Sequence, residues 1–235
     1  MSIPQNTSKE AIKFIKKNKK LLVMRFADIQ RFPPTDKPFT IFMAGSPGAG
    51  KTELSKAFIK KVEGKDLNII RVDADEIREI IPQFTGSNSS EVQAAAALGV
   101  EKLVDYTQHN RQNSIIDATF ANEAKAIDNV KRALKKGYKV GIMYVYQDPK
   151  LAWEFTKERE KLEGRPVPKE VFLKSFFSAK ESTNKVKDLF GSRVFLAVVA
   201  KNFENKVKKV YLDVEKIDNC IKMNYTESLL DRIIQ

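Results

Sequence analysis

The chain of 235 residues has one cysteine and one histidine, and this scarcity excludes several kinds of site. A lone Cys220 cannot form an intrachain disulfide, and Cys220 and His109 together cannot supply the ligands of a zinc site. A histidine-dependent catalytic triad would have to use His109, which we place on a helix surface without a chemical role.

Long apolar segments are also lacking. The longest uninterrupted apolar run covers residues 194–200, whereas a membrane-spanning helix needs about 20 apolar residues. The first residues open no apolar stretch, so no secretory signal is predicted. We therefore expect a cytoplasmic protein that makes no use of a membrane.

Acidic residues are outnumbered, with 30 Asp and Glu against 42 Lys and Arg, which gives a formal net charge of +12. A positive surface attracts nucleic acid, membrane surfaces and anionic small molecules alike. Nucleic-acid binding also needs a basic groove with stacking aromatic rings. The lysines are spread along the chain and the 15 Phe fall mostly at core-like positions, so nucleic acid is not the favoured partner.

Hydrophobic residues make up 42% of the chain, which is enough to fill a core. Their spacing alternates between the periods of strands and helices. Strands are predicted at residues 39–44, 68–72, 114–116, 139–146, 194–199 and 208–212. Helices are predicted at residues 53–62, from residue 88 through residue 104, around residues 127–134, and from residue 149 onward. This alternation predicts an α/β fold with three layers, in which helices flank a mostly parallel central sheet.

A proline-rich stretch at residues 31–38 divides the chain. We expect an N-terminal helical extension and connector at residues 1–37, followed by the α/β domain at residues 38–235.

One motif carries most of the functional information. Residues 45–52 satisfy the pattern G-x-x-x-x-G-K-[ST] between a predicted strand and a predicted helix, which indicates a P-loop. Lys51 is expected to reach the β- and γ-phosphates of ATP, and the Thr52 hydroxyl is expected to bind Mg²⁺. The predicted nucleotide-binding residues are Gly45, Ser46, Pro47, Gly48, Ala49, Gly50, Lys51 and Thr52.

Two other classes of P-loop protein fit less well. The guanine-reading motif N-K-x-D of GTPases is not matched, because residues 184–188 place the aspartate one position late. A mechanical ATPase usually has adjacent acids at the end of a long strand, whereas the third strand ends in Asp117 alone. A small kinase remains, which needs a carboxylate near the acceptor hydroxyl and arginines near the transferred phosphoryl group.

Carboxylates follow two of the predicted strands. Asp73 and Asp75 come after the second strand, where Asp73 fits the N-cap of a helix and Asp75 is the favoured base. Asp117 ends the third strand close to Thr119. We expect both residues to line the acceptor pocket, and Asp117 is also placed to support Mg²⁺ through water.

Arginines follow the fourth strand. Arg159 and Arg165 flank a glycine-containing turn, where a lid over the phosphates would lie. The alternative for both residues is pairing with neighbouring glutamates on a helix surface.

Over residues 39–172 the chain resembles the zeta-toxin family, which are P-loop kinases of UDP-N-acetylglucosamine, and it is more distantly similar to chloramphenicol phosphotransferases. The resemblance rests on the P-loop, on residues 72–78 (Val-Asp-Ala-Asp-Glu-Ile-Arg) with Pro82, on residues 114–119, and on the two arginines. It implies phosphorylation of the sugar 3′-hydroxyl with Asp75 as base, Glu101 as an acceptor-binding residue, and Arg159 and Arg165 on the γ-phosphate.

The chain departs from this family at two positions. The family commonly has an arginine after Thr119, and residues 120–123 contain none, while Asp117 stands where glutamate is usual. A kinase of another metabolite or antibiotic hydroxyl, a nucleic-acid-end kinase and a nucleotide-binding regulator therefore stay open as alternatives. The resemblance also implies two partners, a nucleotide-sugar acceptor and an antitoxin protein that docks on the N-terminal helices.

Overall fold

A computed structural model describes residues 4–62, 67–164 and 166–234. Within these ranges six strands form one sheet in the order β2-β3-β1-β4-β5-β6. Neighbouring strands pair in parallel, except that β5 and β6 are antiparallel. The strands are β1 (Phe39–Ala44), β2 (Ile69–Asp73), β3 (Asn113–Asp117), β4 (Lys139–Tyr146), β5 (Val194–Lys201) and β6 (Val207–Tyr211). The predicted α/β fold with a mostly parallel sheet is confirmed.

Helices lie on both faces of this sheet. They are α1 (Pro4–Lys17), α2 (Lys19–Phe26), α3 (Lys51–Val62), α4 (Ala74–Arg78), α5 (Ser89–His109), α6 (Glu123–Lys135), α7 (Pro149–Glu163), α8 (Lys169–Phe190) and α9 (Glu227–Ile233). The predicted helix at residues 53–62 begins two residues earlier than expected. For α8 only a helical stretch before residue 184 was expected, without bounds, and α9 was not predicted. In the part of the chain that is described, no helix is both long and apolar enough to cross a bilayer.

Local sequence explains where several helices begin. Asp148 caps α7, because its carboxylate accepts a hydrogen bond of 3.0 Å from the backbone N–H of Lys150, and Pro149 takes the first helical position. Asn122 caps α6 in the same way through the N–H of Lys125. Both helices therefore begin directly after a strand or its loop, which keeps the connections short.

Two apolar layers enclose the sheet. On one face, α1, α5, α6 and α8 pack on buried residues such as Val72 and Leu196. On the other face, α3 packs Leu54 and Phe58 against Met43 and its neighbours. Because both faces are covered, β3 is buried along its whole length, as is usual for a parallel sheet.

The N-terminal helices share the core of the sheet. Ala11, Ile15 and Leu22 are at most 1% exposed and belong to the same buried cluster as β2 and β3. The buried side chain of Gln112 donates hydrogen bonds to the carbonyls of Ala27, at 3.0 Å, and Phe32, at 2.6 Å. These contacts attach the segment before β1 to the rest of the fold.

Replacing Ile15 by Ala should lower the free energy of unfolding by about 2–5 kcal/mol, because it leaves a cavity between α1 and α5. The matched control is Met24→Ala, since Met24 is 60% exposed and its truncation should cost less than about 0.5 kcal/mol. Urea unfolding of both variants measures the difference. Equal stability of the two variants would show that α1 does not contribute to the core.

Candidate active site

The P-loop follows β1, which lies inside the sheet between β3 and β4. Gly45, Gly48 and Gly50 all have positive φ, a region that side chains disfavour. A Cβ at Gly48 would lie 1.9 Å from the carbonyl oxygen of Ala152 on α7, so only glycine allows this close packing. The loop is thereby held between the sheet and α7.

Lys51 lies against its own loop. Its Nζ donates hydrogen bonds to the carbonyl oxygens of Gly45, at 3.0 Å, and Ser46, at 2.7 Å. Burial lowers the pKa of Lys51 to about 8, and the nearby carboxylate of Asp117 opposes this shift. A bound polyphosphate would favour the charged form in the same way that Asp117 does.

A cleft of about 590 Å³ opens above the P-loop, at the carboxyl ends of the parallel strands. Ligands of α/β sheets usually bind at this edge. Of the residues that the sequence predicts for the site, the described lining of the cleft includes Pro47, Gly48, Gly50, Lys51, Thr52, Asp75, Asp117, Thr119 and Arg159. Gly45, Ser46 and Ala49 belong to the loop but are not part of this lining.

A buried arginine links the ends of β2 and β3. Nη1 of Arg71 lies 2.6 Å from the carboxylate of Asp73 and 2.7 Å from that of Asp117, and Nη2 lies 2.7 Å from Glu76. The side chain of Arg71 is 7% exposed. Burial opposes its charge, but the three carboxylates raise the pKa of Arg71 above its ordinary value.

Asp117 is also held from the P-loop helix. The Ser55 hydroxyl on α3 lies 3.0 Å from the same carboxylate oxygen that Arg71 contacts. Asp117 is thus fixed between β2 and α3, close to the start of the helix that carries Thr52.

Asp73 is the N-cap of α4, as the sequence predicts. Its carboxylate accepts a hydrogen bond of 2.8 Å from the backbone N–H of Asp75. Burial raises the pKa of Asp73 to about 6, although Arg71 acts in the opposite direction. The burial and capping role of Asp73 leave Asp75 as the more accessible carboxylate, with 26% of its side chain exposed.

Among the described residues, two arginines hold the carboxylate of Asp75. Arg78 on α4 contacts one oxygen and is itself bonded to Gln93 on α5, while Arg159 on α7 contacts the other oxygen. The side chain of Arg78 is 11% exposed and that of Arg159 is 47% exposed. Asp75 and Arg159, predicted separately, therefore meet at the rim of the cleft.

Two predicted residues are not placed in the cleft. Glu101 lies on α5 with its side chain 48% exposed, and its carboxylate pairs with Lys125 on α6 at 2.6 Å. It is not among the described residues that line the cleft. Arg165 lies outside the described residues.

Comparison with known proteins decides the family. The sequence model of the zeta-toxin family, described as zeta toxin, matches residues 24–213. The chain belongs to the zeta-toxin family. The resemblance proposed from the sequence is confirmed, and the match includes the P-loop and the whole lining of the cleft.

Individual relatives are more distant. The chain is 26% identical over 107 residues to the cytidine diphosphoramidate kinase of Campylobacter jejuni, which covers 46% of this chain and 61% of that relative. The match thus spans less than two thirds of that relative's length.

Solved structures share the fold. The PezAT toxin–antitoxin system of Streptococcus pneumoniae superposes with a TM-score of 0.66 at 17% identity, over 94% of this chain and 87% of that one. The complex AvrRxo1-ORF1:-ORF2 with ATP superposes with a TM-score of 0.61 at 15% identity, over 87% of this chain and 65% of that one.

Among the polar residues near the cleft that sequence reasoning missed are four hydrogen-bonding side chains, and two of these four had a signal. Arg71 lies two positions before Asp73 in a strand, so both side chains point to the same face. Lys201 is the first charge after a long apolar strand, at the edge where ligands bind. The four residues are Arg71, Arg78, Lys201 and Asn205.

The donor atoms of the cleft suit magnesium. Mg²⁺ prefers oxygen ligands and usually takes one or two carboxylates together with substrate phosphates and waters. The Thr52 hydroxyl and the Asp117 carboxylate both line the cleft beside the P-loop. Among the described residues no cluster of three or more His, Cys, Asp or Glu side chains forms a metal cage. Thr52 and Asp117 therefore fit a magnesium ion that arrives with a nucleotide.

Replacing Arg71 by Met should lower the free energy of unfolding by about 3–5 kcal/mol, because it leaves buried carboxylates without their cation. The matched control is Arg132→Met, an arginine whose side chain is 36% exposed and pairs with Asp105, and which should cost at most about 1 kcal/mol. Urea unfolding at two pH values measures both effects.

The loss in Arg71→Met should also depend on pH. Arg71 lowers the pKa of Asp73, so its removal raises that pKa further above the value in the unfolded chain. A carboxyl group with a raised folded pKa stabilises the fold at low pH and loses this contribution as the pH rises through the folded pKa. The destabilisation should therefore be larger at pH 8 than at pH 5. An equal loss at both pH values would contradict this account of the Asp73 carboxyl.

Proposed function

We propose that this protein is an ATP-dependent kinase that transfers the γ-phosphoryl group to a hydroxyl of a small molecule, with Asp75 as the general base. One observation carries the proposal. Asp75 and Arg159, from α4 and α7, contact each other at the rim of the cleft that Lys51 lines from below. A proton acceptor, a cation for the transferred group and a phosphate-binding loop are thus gathered around one space.

Each group of the site has its own role in the proposed reaction. The backbone N–H groups of the P-loop and the ammonium of Lys51 hold the phosphate chain of ATP. Asp75 accepts the proton of the acceptor hydroxyl, and the oxygen of that hydroxyl forms the new bond to the γ-phosphorus. The bond from the γ-phosphorus to the bridging oxygen breaks, and ADP leaves. Arg159 neutralises charge on the phosphoryl group as it transfers.

Magnesium, held by Thr52 and supported by Asp117, supplies positive charge to the phosphate oxygens when it is bound. Arg71 and Ser55 orient Asp117 for this role through the contacts described above. These residues act on the donor side of the cleft, whereas Asp75 acts on the acceptor side.

For the acceptor we propose the 3′-hydroxyl of UDP-N-acetylglucosamine, which is the substrate that the family resemblance implies. A second candidate is cytidine diphosphoramidate, the substrate in the name of the Campylobacter jejuni relative. Both candidates carry a nucleoside diphosphate, so both combine an anionic group with hydroxyl groups. This chain lacks the arginine that the family commonly has after Thr119. The second candidate is therefore tested as well.

The test is turnover of purified protein with Mg-ATP and each acceptor, measured by mass spectrometry of the product. With UDP-N-acetylglucosamine we expect an ion heavier by one phosphoryl group. Asp75→Asn should lower turnover by about 10²–10⁴-fold, because the acceptor hydroxyl loses its base. Its affinity for ATP should not fall, since the neutral side chain releases Arg159 for the phosphates.

Lys51→Ala is the matched control on the donor side. It should weaken ATP binding at least about tenfold in calorimetry, because a charged contact to phosphate is lost. If only cytidine diphosphoramidate is phosphorylated, the proposed acceptor is wrong, but the proposal that the protein is a kinase stands. Full turnover by Asp75→Asn would contradict the assignment of Asp75 as the base.

We further propose that a protein antitoxin restrains this activity, because the PezAT neighbour is described as a toxin–antitoxin system. Expression of the chain alone in bacteria should slow growth, since each turnover removes acceptor from the host. Expression of Lys51→Ala at the same level should not, and growth curves compare the two. Equal inhibition by both proteins would place the toxicity outside the proposed chemistry.

A further inference from the structure

The hairpin that joins β5 to β6 reaches the P-loop from the side opposite the base. Asn205, in its turn, lines the cleft together with Gly50 and Lys51. The turn has a defined shape, because the side-chain oxygen of Asn202 accepts hydrogen bonds from the backbone N–H groups of Glu204, at 3.1 Å, and Lys206, at 2.8 Å. The hairpin therefore presents fixed groups to one end of the cleft.

Lys201, at the end of β5, lies directly on the P-loop. A Cβ at Gly50 would lie 2.0 Å from Nζ of Lys201, so the ammonium rests directly against this glycine of the loop. The residue is 8% exposed, and Nζ donates a hydrogen bond of 2.8 Å to the side chain of Asn205. Burial lowers the pKa of Lys201, with Glu53 acting weakly in the opposite direction.

A second buried lysine shows what is unusual about Lys201. Lys187, 1% exposed, has Asp213 at 3.8 Å and Glu215 at 3.6 Å and bonds to the carbonyl of Val194 at 3.2 Å. Within the described ranges no carboxylate lies within ion-pair distance of Lys201. A buried charge without a counter-charge is costly, so its position beside a phosphate-binding loop points to an anion as the missing partner.

The orientation of a bound nucleotide follows from the residues at the two ends of the cleft. The phosphoryl group that transfers must face Asp75 and Arg159, so the nucleoside must leave toward the hairpin. There a second cavity, of about 320 Å³, is lined by Lys201 and by aromatic residues that include Tyr146 and Phe203. Lys201 lies between this cavity and the P-loop. Phe203 is 81% exposed, and an aromatic ring of this kind can stack on any base.

On the basis of the proposed function, we infer that the β5–β6 hairpin is the donor-nucleotide clamp, in which Lys201, held by Asn205, contacts the phosphate chain and Phe203 covers the base in the adjoining cavity. The ligand is a nucleoside triphosphate, and its phosphates supply the counter-charge that Lys201 lacks among the described residues.

Lys201→Met tests the phosphate contact, with ATP and inorganic tripolyphosphate as probes in calorimetry. Affinity for both probes should fall about tenfold or more, because a charged contact is lost. The matched control is Lys206→Met on the same hairpin, whose side chain is 74% exposed and which should bind both probes within twofold of the wild type. Unchanged affinity of Lys201→Met would overturn the inference.

Thermal unfolding separates this role from a structural one. Removal of an uncompensated buried charge should leave the melting temperature of Lys201→Met equal to or above that of the wild type. A melting temperature that falls together with the affinity would overturn the inference by showing that Lys201 supports the fold. If Lys51→Ala also binds ATP normally, the proposed nucleotide site itself fails, so the two failures are distinguishable.

Phe203→Ala tests the base contact. Because Phe203 is 81% exposed, the variant should melt at the wild-type temperature, which the same melting curve checks. Affinity for ATP should fall about five- to tenfold, while affinity for tripolyphosphate should stay at the wild-type value. Equal loss with both probes, or no loss with ATP, would remove Phe203 from the clamp.

Discussion

The geometry of the cleft depends on the ion pairs that the guanidinium of Arg71 makes with three carboxylates. Parallel strands end at one edge of a sheet, and here that edge gathers Asp73, Asp117 and Glu76 next to a loop built for phosphate. Carboxylates this close repel one another and would also repel a nucleotide. Arg71 offsets this repulsion from β2, the strand at one edge of the sheet. Its planar fork of donors contacts all three carboxylates at once, which a lysine ammonium could not do with the same geometry.

The other cations of the site differ in how firmly they are held. Arg78 is buried and bonded to α5 through Gln93, and Lys51 is bonded to the carbonyls of its own loop. Arg159 is the most exposed of the three and comes from α7, whose far end leads to the turn at Gly164. The firmly held cations fix where carboxylates and phosphates lie, whereas an exposed arginine on a helix rim can exchange one anionic partner for another at little cost.

Much of the fold and part of the site follow from local sequence. The P-loop, the strand ends and the caps at Asp73 and Asp148 each depend on residues within one turn of each other, and these predictions agree with the structure. The bounds of helix α8 were missed because it buries polar residues, including Thr183, Asn184 and Lys187, which interrupt its apolar stripe. Asn184 and Lys187 find their partners in the segment after β6, and such pairing has no local signature.

Glu101 and Lys201 show the same limit. Glu101 was carried over from a family pattern, but the rotation of α5 turns it toward Lys125, and a sequence does not fix that rotation to within one helix face. Lys201 was missed for the opposite reason. Its importance comes from contact with Gly50, and this contact exists only because β4 brings β5 within reach of the loop after β1. Positions defined by strand order become visible only once the order is known.

The contact between Asp75 and Arg159 links the two halves of the proposed reaction. In this contact the oxygens of the Asp75 carboxylate accept hydrogen bonds from guanidinium groups, which occupy positions that the proton of an acceptor hydroxyl would need. The γ-phosphate of ATP carries more negative charge than a carboxylate and competes for the more exposed of the two arginines. In the proposed reaction Arg159 moves to the phosphate, and one of the donors that occupy the Asp75 carboxylate is thereby removed. Occupation of the donor site would thus prepare the base on the acceptor side, with no further change in the fold.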